Sequence, residues 1–306
     1  MDVIRHFYSA YGLTIDSEVV LSPLAQISPA PADLFVRYAP ITPGPASEPT
    51  KIYRAGMQAR FAQDGPDRLW LFWPPSLSFM ALDGRELLVD ANADDPDWIA
   101  LFTLSEAIGL ILFQRGNFLL HGSAVNLSGQ GVVFIGEPGA GKSTTAAAFA
   151  QQGHALISDD LVCIHIDAAG KPWLIPAFPQ LKIWETTVNG LQVAKTHLTP
   201  VREGVNKYAW QESLAFASSA VPLSHIFVLQ PPDSGRSEPQ LLAPSQVPVG
   251  LLGHFPLADA MLQGEALRRY FEQSVQLART VRVATLSRPE NFDRLLAFVR
   301  GLPATL

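Results

Sequence analysis

The sequence has few of the features by which several common protein classes are recognised. Only one of its 306 residues is a cysteine, Cys163, so an internal disulfide is impossible. No group of cysteines and histidines has the spacing of a zinc site. Because Cys163 lies in an apolar run, residues 161–164, we interpret it as a buried core thiol in a reduced compartment.

Runs of basic residues and long apolar segments are also absent from the sequence. The net charge is −6, so a nucleic-acid partner is not expected. The N-terminus has no basic segment followed by an apolar run, which argues against a signal peptide. The most apolar stretch, residues 98–113, contains Glu106 and is shorter than the ~20 residues of a membrane span. We therefore expect a cytoplasmic protein that does not associate with membranes.

The chain divides into two regions by its pattern of strands and helices. Residues 1–95 contain short strand-like runs at 33–38, 69–73 and 86–89 between proline and glycine breaks. This pattern predicts a small β-rich N-terminal region, which we interpret as a region for substrate recognition. Residues 96–306 carry the motifs described below and are predicted to form a catalytic domain.

The second region begins with a predicted helix and hairpin. Apolar residues recur at helical spacing over residues 97–115, and Gly116 is expected to end that helix. Residues 118–125 are typical of a strand, and residues 128–131 of a tight turn into the next strand. The strand that follows, residues 131–135, is therefore expected to have at least one antiparallel neighbour.

The most specific motif is a glycine-rich loop at residues 136–144, Gly-Glu-Pro-Gly-Ala-Gly-Lys-Ser-Thr. It fits the P-loop (Walker A) spacing G-x-x-x-x-G-K-[ST], with a strand before it and a helix after it that Gly153 is expected to end. This geometry directs backbone N–H groups and a helix N-terminus at a polyphosphate. The nucleotide-binding residues expected in this glycine loop are Gly136, Glu137, Pro138, Gly139, Ala140, Gly141, Lys142, Ser143 and Thr144.

Two of these side chains have a predicted chemical role. Lys142 is expected to reach the β- and γ-phosphates of ATP, and the Ser143 hydroxyl is expected to bind Mg²⁺. ATP and Mg²⁺ are therefore the predicted cofactors. The alternative is a glycine-rich turn with a solvated lysine, and the flanking strand and helix favour the nucleotide site.

An acidic pair, Asp159 and Asp160, follows the predicted strand at residues 155–158. Mg²⁺ prefers carboxylates together with phosphate oxygens, and transfer to a hydroxyl needs a carboxylate to orient or accept the proton. If both residues continue the strand, their side chains point to opposite sides. We therefore expect one to join Ser143 at the metal and the other to act on the acceptor, without deciding which. The alternative is an Asp-Asp turn or a helix cap.

Other basic and imidazole side chains are candidates for the same site. His121 ends the strand beside the glycine loop and is a candidate catalytic residue, although a lone histidine in an apolar strand is more often a core residue. A transferring phosphoryl group needs further cations. Lys182, Arg202 and Lys207 are the candidates, and by default each is a surface charge.

The motifs His121-Gly122, the glycine loop, Gly153-His154 and Ser158-Asp159-Asp160 occur in that order. This series resembles the catalytic domain of HPr kinase/phosphorylase, which has an HG-containing strand, a hairpin into a GxSGxGKS loop, a helix ending in R-G-H and a strand ending in A-D-D. The resemblance implies an α/β fold of the HPr kinase and phosphoenolpyruvate carboxykinase type: a P-loop domain with a mixed sheet, preceded by the β-rich region. It covers roughly residues 115–165, with weaker support to about residue 230.

The chain departs from that family at three points. Gln152 stands where the family has the arginine of its R-G-H motif, and Thr144 stands where the family has a glutamate near Mg²⁺. The family's Arg-Gly-Leu-Gly segment, tied to its subunit contacts and phosphorylase activity, has no counterpart, and residues 176–184 occupy that stretch. These differences argue against reversible phosphorylation of the HPr carrier.

The chain is more similar to the divergent HPr-kinase-related serine kinases. They share the Tyr-Gly-Leu segment at residues 11–13, the Leu-His-Gly-Ser-Ala-Val strand at 120–125 and a P-x-F-P-x-L-x-L-W segment at 176–184. Some members, in lasso-peptide pathways, phosphorylate a precursor peptide on serine. The resemblance implies roles for His121, both aspartates and Lys207, and it implies a homo-oligomer.

Three functions remain open from the sequence. The first is a Mg-ATP-dependent kinase that phosphorylates a hydroxyl, with serine of a peptide or protein, such as a precursor peptide, as the expected acceptor. The second is phosphoryl transfer to a small molecule, including a carboxykinase-like reaction. The third is a nucleotide-gated binding protein without transfer, which the substitution of glutamate by Thr144 motivates.

Overall fold

The computed structural model describes residues 4–42, 46–54, 56–92, 95–201, 205–231, 238–289 and 291–302. The chain forms two compact units. The first consists of residues 1–119 and 255–272, and the second of residues 120–254 and 273–306. The boundary expected near residue 95 lies inside the first unit, because the apolar helix that follows it packs there.

The first unit contains an eight-stranded sheet in the order β1-β2-β3-β8-β7-β6-β5-β4. Strand β3 pairs in parallel with β2 and β8, and the other neighbours are antiparallel. The runs expected at 33–38, 69–73 and 86–89 are confirmed as β3, β6 and β8. The strands are β1 (His6–Ala10), β2 (Leu13–Ser17), β3 (Leu34–Tyr38), β4 (Glu48–Arg54), β5 (Met57–Gln63), β6 (Arg68–Trp73), β7 (Leu77–Leu82) and β8 (Glu86–Ala91).

The apolar helix of the first unit consists of α1 (Pro96–Phe102), a π-helical turn (Thr103–Ala107) and α2 (Ile108–Gln114). The carboxylate of Asp95 caps its first turn by accepting a hydrogen bond from the Trp98 N–H at 3.1 Å. By length and composition this 19-residue segment could cross a membrane, yet 72% of its most apolar window is buried inside the protein. The Glu106 carboxylate accepts a hydrogen bond from Arg54 Nε at 2.9 Å. These contacts are those of a core helix.

The second unit combines mixed sheets with helices, so the α/β class with a mixed sheet is confirmed. Two elements, β9 and α6, begin in residues of the first unit and end in the second. From β9 onwards the strands and α-helices are β9 (Phe118–Leu127), β10 (Gln130–Gly136), α3 (Lys142–Gln151), β11 (Ala155–Ser158), β12 (Leu161–Ile166), β13 (Pro172–Ile175), β14 (Leu181–Trp184), α4 (Glu185–Leu191), β15 (Leu198–Pro200), β16 (Lys207–Trp210), β17 (Val221–Gln230), β18 (Gln240–Leu241), α5 (Val247–Leu252), α6 (Gly264–Thr280), β19 (Arg282–Ser287) and α7 (Phe292–Gly301).

The strand before the glycine loop, β10, has one antiparallel and one parallel neighbour. It pairs antiparallel with β9 through the predicted turn at Ser128 and Gly129, and in parallel with β17. Strand β17 pairs in parallel with β19. Since parallel strands end at the same edge of a sheet, the segments after β10, β17 and β19 meet at one edge, where the glycine loop lies.

Aromatic packing fixes helix α3 on this sheet. The ring of Phe134 on β10 stacks against Phe149 of α3 at 5.5 Å between centroids and against Phe227 of β17 at 5.9 Å. All three rings are buried. The neighbouring helix positions Ala146, Ala147 and Ala148 are small and fully buried, so the helix backbone can approach the sheet closely.

The sequence of residues 176–184 gave no prediction of secondary structure. The structure has a short strand there, β14, in a three-stranded sheet of the order β14-β16-β15. In this sheet Lys182 lies opposite Ala209, and Trp184 lies opposite Lys207. The sheet therefore brings both predicted lysines onto adjacent strands.

Candidate functional site

The glycine loop joins the end of β10 to the first residue of α3. Gly136, Gly139 and Gly141 have φ values of 150°, 85° and 94°, which residues with a side chain rarely adopt. At Gly136 an added Cβ would also lie 2.8 Å from the carbonyl oxygen of Leu229. The loop conformation therefore depends on glycine, and the predicted strand–loop–helix arrangement is confirmed.

The first half of the loop borders an open cavity. Glu137, Pro138 and Gly139 are exposed, and the N–H of Ala140 donates to the Glu137 carbonyl at 3.0 Å. The adjoining cavity has a volume of about 450 Å³. Its walls are formed by loop residues 136–140, by the end of β17 with Pro231, and by His254.

Lys142 lies inside the curve of the loop. Its side chain is buried, and its Nζ donates to the carbonyl oxygens of Gly136 at 2.9 Å and Glu137 at 3.3 Å. Burial lowers the pKa of the Lys142 ammonium group. The structure thus holds a buried cation where the loop backbone turns.

The next two residues of α3 face different partners. The Ser143 hydroxyl donates to Asp159 Oδ1 at 2.9 Å. The Thr144 hydroxyl instead shares a hydrogen bond of 2.8 Å with the hydroxyl of Thr187 on α4. Ser143 therefore connects the loop to the acidic pair, while Thr144 connects it to α4.

Asp159 is held by hydrogen bonds to both carboxylate oxygens. Its Oδ1 accepts from the hydroxyls of Ser143 and Ser123, the latter at 2.7 Å, and its Oδ2 accepts from the Lys182 N–H at 2.9 Å. Burial, and next the negative charge of Asp160, raise the pKa of Asp159, while the Ser123 and Lys182 hydrogen bonds act in the opposite direction. This carboxylate is rigidly oriented towards the loop.

Asp160 occupies a turn and not a strand position. Strand β11 ends at Ser158, and Asp160 has a φ of 65°, so the expectation that both aspartates continue the strand is wrong. Aspartate tolerates this left-handed conformation better than most residues do. Asp160 Oδ2 forms an ion pair with Lys182 Nζ at 3.1 Å, so the two carboxylates still contact different groups.

His121 on β9 is fixed from two sides. The ring Nδ1 of His121 lies 2.9 Å from the carbonyl oxygen of Asp160, and the backbone N–H of His121 donates to the His254 carbonyl at 2.8 Å. Because a carbonyl oxygen only accepts, Nδ1 carries the proton and Nε2 of the neutral ring remains an acceptor. Burial, and next the charge of Lys142, lower the pKa of His121, which keeps the ring neutral near pH 7.

The two predicted lysines have different surroundings. Lys182 is buried and contacts Asp160 directly. Lys207 lies with its Nζ 5.5 Å from the ring centroid of Trp184, and its charge lowers the pKa of Asp159. Lys182 is therefore part of the acidic cluster, and Lys207 acts on it electrostatically. Arg202 lies outside the described residues.

Ser123 is a site residue that sequence reasoning missed. It is fully buried on β9, two positions after His121, and it contacts Asp159. Alternate residues of a strand share one face, so the position of Ser123 relative to His121 was a usable signal. Arg288, which lies against the loop, gave no such signal, because only the sheet order brings it there.

The donor groups around Ser143 fit a hard cation. Among the residues that the structure describes, no group of three or more His, Cys, Asp or Glu side chains is arranged to hold a metal ion by itself. The Ser143 hydroxyl and the Asp159 carboxylate, with Asp160 adjacent, provide oxygen ligands at one point. Mg²⁺ is commonly bound through one or two carboxylates plus phosphate oxygens and water, and this set satisfies that requirement.

One segment of the chain is similar to known proteins. Residues 116–182 match the family model described as HPr Serine kinase C-terminal domain. An HPr kinase/phosphorylase from Pelodictyon phaeoclathratiforme is 37% identical over 79 residues, which are 24% of this chain and 24% of the relative. An HPr kinase/phosphorylase from Clostridium beijerinckii is 40% identical over 74 residues, again 24% of each chain. The chain thus spans about a quarter of the length of these curated relatives.

A solved structure of the Hpr(Ser) kinase/phosphatase from Coxiella burnetii also matches. The alignment covers 61% of this chain and 97% of the other, with 13% sequence identity and a TM-score of 0.32. At that level it adds nothing to the sequence matches. The family model covers the glycine loop, both aspartates and Lys182, and over residues 116–182 the chain is similar to HPr kinases.

Proposed function

We propose that the chain is a Mg-ATP-dependent kinase that transfers the γ-phosphate to a hydroxyl, with serine of a peptide or protein as the acceptor. The observation that carries the proposal is the hydrogen bond from Ser143 to Asp159, since it joins a glycine loop to an acidic pair. The similarity to HPr kinases over residues 116–182 supports the same chemistry. A P-loop domain of the HPr kinase type and a cytoplasmic location are part of the proposal.

The residues have distinct roles in this proposal. The loop N–H groups and Lys142 bind the phosphates, and Ser143 with Asp159 holds Mg²⁺. Bound Mg-ATP would supply the transferable phosphoryl group and the positive charge that stabilises it. Glycine at positions 136, 139 and 141 allows the backbone to approach the phosphates.

Asp160 is the residue that we assign to the acceptor. Asp159 uses both oxygens in contacts to Ser123, Ser143 and the Lys182 N–H, whereas Asp160 forms an ion pair with the Lys182 ammonium group. Asp160 would orient the acceptor hydroxyl and accept its proton. His121, through the contact of its Nδ1 with the Asp160 carbonyl, fixes the turn that aims this carboxylate.

Lys182 would change its role during the reaction. With no acceptor bound, its ammonium group neutralises Asp160 at 3.1 Å. A cation at this point also stabilises the charge that develops on a transferring phosphoryl group. Lys207, against the Trp184 ring, adds a second positive charge to the same side of the site.

The acceptor class is tested by mass spectrometry. A cell extract is incubated with the protein and γ-labelled ATP, and labelled products are separated into peptides, proteins and small molecules. We expect phosphoserine on one or a few polypeptides, with no label transferred by Lys142→Ala. Label that appears only on a metabolite would contradict the peptide or protein acceptor.

A second candidate is a nucleotide-gated binding protein without transfer. The observation in its favour is Thr144, whose hydroxyl is engaged with Thr187 and is turned to α4. This protein would bind ATP and a partner without phosphate turnover. Release of ADP in the presence of the extract, measured with a coupled assay, separates the two functions.

A further inference from the structure

Arg288 is the first residue after β19, and it reaches the glycine loop. Strand β19 pairs in parallel with β17, and β17 pairs in parallel with β10, so their carboxyl ends lie at the same edge. The Arg288 side chain therefore extends across the end of β17 towards the loop. On its other side, β10 pairs with β9, which carries His121. Strand β9 also pairs with β11, the strand that precedes Asp159, so Arg288 and Asp159 approach the loop from opposite sides of β10.

The contact with Gly141 is close. A Cβ added to Gly141 would lie 2.6 Å from Arg288 Nε, 2.9 Å from Cδ and 3.3 Å from Cζ. The guanidinium group thus lies against the backbone of the residue that immediately precedes Lys142. The N–H groups at the start of α3, which point towards a bound phosphate in a loop of this type, are adjacent to it.

The Nε of the Arg288 guanidinium group has no hydrogen-bond partner within the described part of the chain. This atom is buried although the residue as a whole is partly exposed, and burial lowers the pKa of Arg288. Two other partly buried arginines are paired: Arg37 lies 2.9 Å from Asp16, and Arg54 contacts Glu106. A buried N–H of a charged group is unfavourable unless an acceptor, such as a phosphate oxygen, joins it.

We propose that Arg288 is a phosphate-binding residue that contacts the α- and β-phosphates of the nucleotide from the β17 side of the loop. The inference rests on the proposed function, since it requires a nucleotide in the loop. Asp159 and Asp160 reach the loop from the β9 side, where the γ-phosphate and the acceptor belong in that proposal. Arg288 then provides a positive charge for the α- and β-phosphates, which are the phosphates that ADP retains.

Arginine suits this position better than lysine. Its planar group lies beside Gly141, and it has several N–H donors in a fixed arrangement that matches two phosphate oxygens. A side chain that only supported the loop would need no charge. The positive charge itself is therefore the property to test.

The test measures ADP binding by calorimetry for wild type, Arg288→Ala, Arg288→Gln and Arg288→Lys, each at several salt concentrations. We expect the Ala and Gln variants to bind ADP at least about tenfold more weakly, since charge-assisted hydrogen bonds to phosphate are lost. Their affinity should also depend less on salt, because one charge interaction is missing. Arg288→Lys should keep the salt dependence and lose less affinity.

The matched control is Arg282→Ala, which removes an exposed arginine from the other end of the same strand. Its ADP affinity and salt dependence should equal those of wild type. Thermal melting without nucleotide shows whether each variant folds. If Arg288→Ala does not fold, the comparison is made with Arg288→Gln and Arg288→Lys.

Two results would overturn the role of Arg288 alone. One is an ADP affinity within twofold of wild type for both neutral variants. The other is a loss of affinity with unchanged salt dependence, which would identify a supporting contact to the loop. If wild type binds neither ADP nor ATP, the proposed function fails first, and the role of Arg288 fails with it.

Discussion

The hydroxyl of Ser143 donates a hydrogen bond of 2.9 Å to Asp159 Oδ1. This contact joins the first turn of α3 to the turn after β11, two segments that are separated by 16 residues in the chain. It brings a hydroxyl and a carboxylate together at the end of a glycine loop. The proposed Mg²⁺ site depends on this pair.

Replacing Ser143 with alanine should weaken Mg²⁺-dependent ATP binding. The substitution removes one oxygen ligand and leaves Asp159 with its hydrogen bonds to Ser123 and Lys182. We expect the stimulation of ATP affinity by Mg²⁺ to fall by about tenfold or more, as is common when a metal ligand or its support is lost. Calorimetric titration of ATP with and without Mg²⁺ measures this effect.

A suitable control for Ser143→Ala is Thr187→Val. It removes a hydroxyl that contacts Thr144 and so also disturbs α3, but it lies on α4 and not beside Asp159. It should retain the wild-type response to Mg²⁺. An equal loss in both variants would mean that the effect is structural.

The affinity for Mg-ATP should fall at low pH, and the pH range of this fall, the acid limb, should shift in opposite directions in Asp160→Asn and Lys207→Ala. Ionised Asp159 is required to hold the metal, and its pKa is raised by burial and by the charge of Asp160, whereas Lys207 lowers it. Binding therefore increases with pH through the raised pKa. Asp160→Asn removes the repulsion and should move the limb to lower pH, while Lys207→Ala should move it to higher pH.

The pH dependence is measured as Mg-ATP affinity, since Asp160→Asn is expected to be inactive. Wild type and both variants are titrated across the acid range at constant ionic strength. Limbs that coincide in all three proteins, or shifts of the reverse sign, would show that Asp159 is not the titrating group.

Replacing Phe134 with alanine should destabilise the second unit strongly. The ring is fully buried and stacks against Phe149 and Phe227, so its removal leaves a cavity under α3. A loss of about 3–5 kcal/mol in the free energy of unfolding is expected. Urea denaturation measures it, with Leu241→Ala, an exposed residue, as the control that should change little.

Adding a methyl group at Gly141 should impair nucleotide binding without unfolding the protein. An alanine Cβ would meet Arg288 at 2.6 Å and would also be strained by the φ of 94°. We expect Gly141→Ala to lower ATP affinity at least about tenfold, whereas Gly153→Ala, at a site open to solvent, should bind as wild type does. Equal affinities of the two variants would exclude a close fit at Gly141.

Local sequence signals were sufficient for the loop and for the strands beside it. The spacing of the glycine loop, the apolar run before it and the turn at Ser128 are all local, and each agrees with the structure. The acidic pair follows the predicted strand, but its geometry differs from the expectation, because β11 ends at Ser158 and does not continue through both aspartates. Asp160 in a turn reaches Lys182 by a route that strand alternation did not predict.

The contacts that the sequence did not reveal depend on sheet order. Strands β14, β15 and β16 are only three or four residues long, too short for a pattern of alternation, yet they bring Lys182 and Lys207 to the site. Arg288 reaches Gly141 across the end of β17, a strand that ends about sixty residues before Arg288 in the chain. No local pattern encodes such a neighbour.

The central claim is that Asp159 and Asp160 carry phosphoryl transfer to serine at this loop. The most direct measurement is the rate of phosphoserine formation in a cell extract supplied with Mg-ATP, compared for wild type, Asp159→Asn and Asp160→Asn by mass spectrometry. We predict phosphoserine with wild type and a loss of at least about a hundredfold in both variants, with ATP binding retained by Asp160→Asn. Phosphorylation by both variants at the wild-type rate would contradict the account.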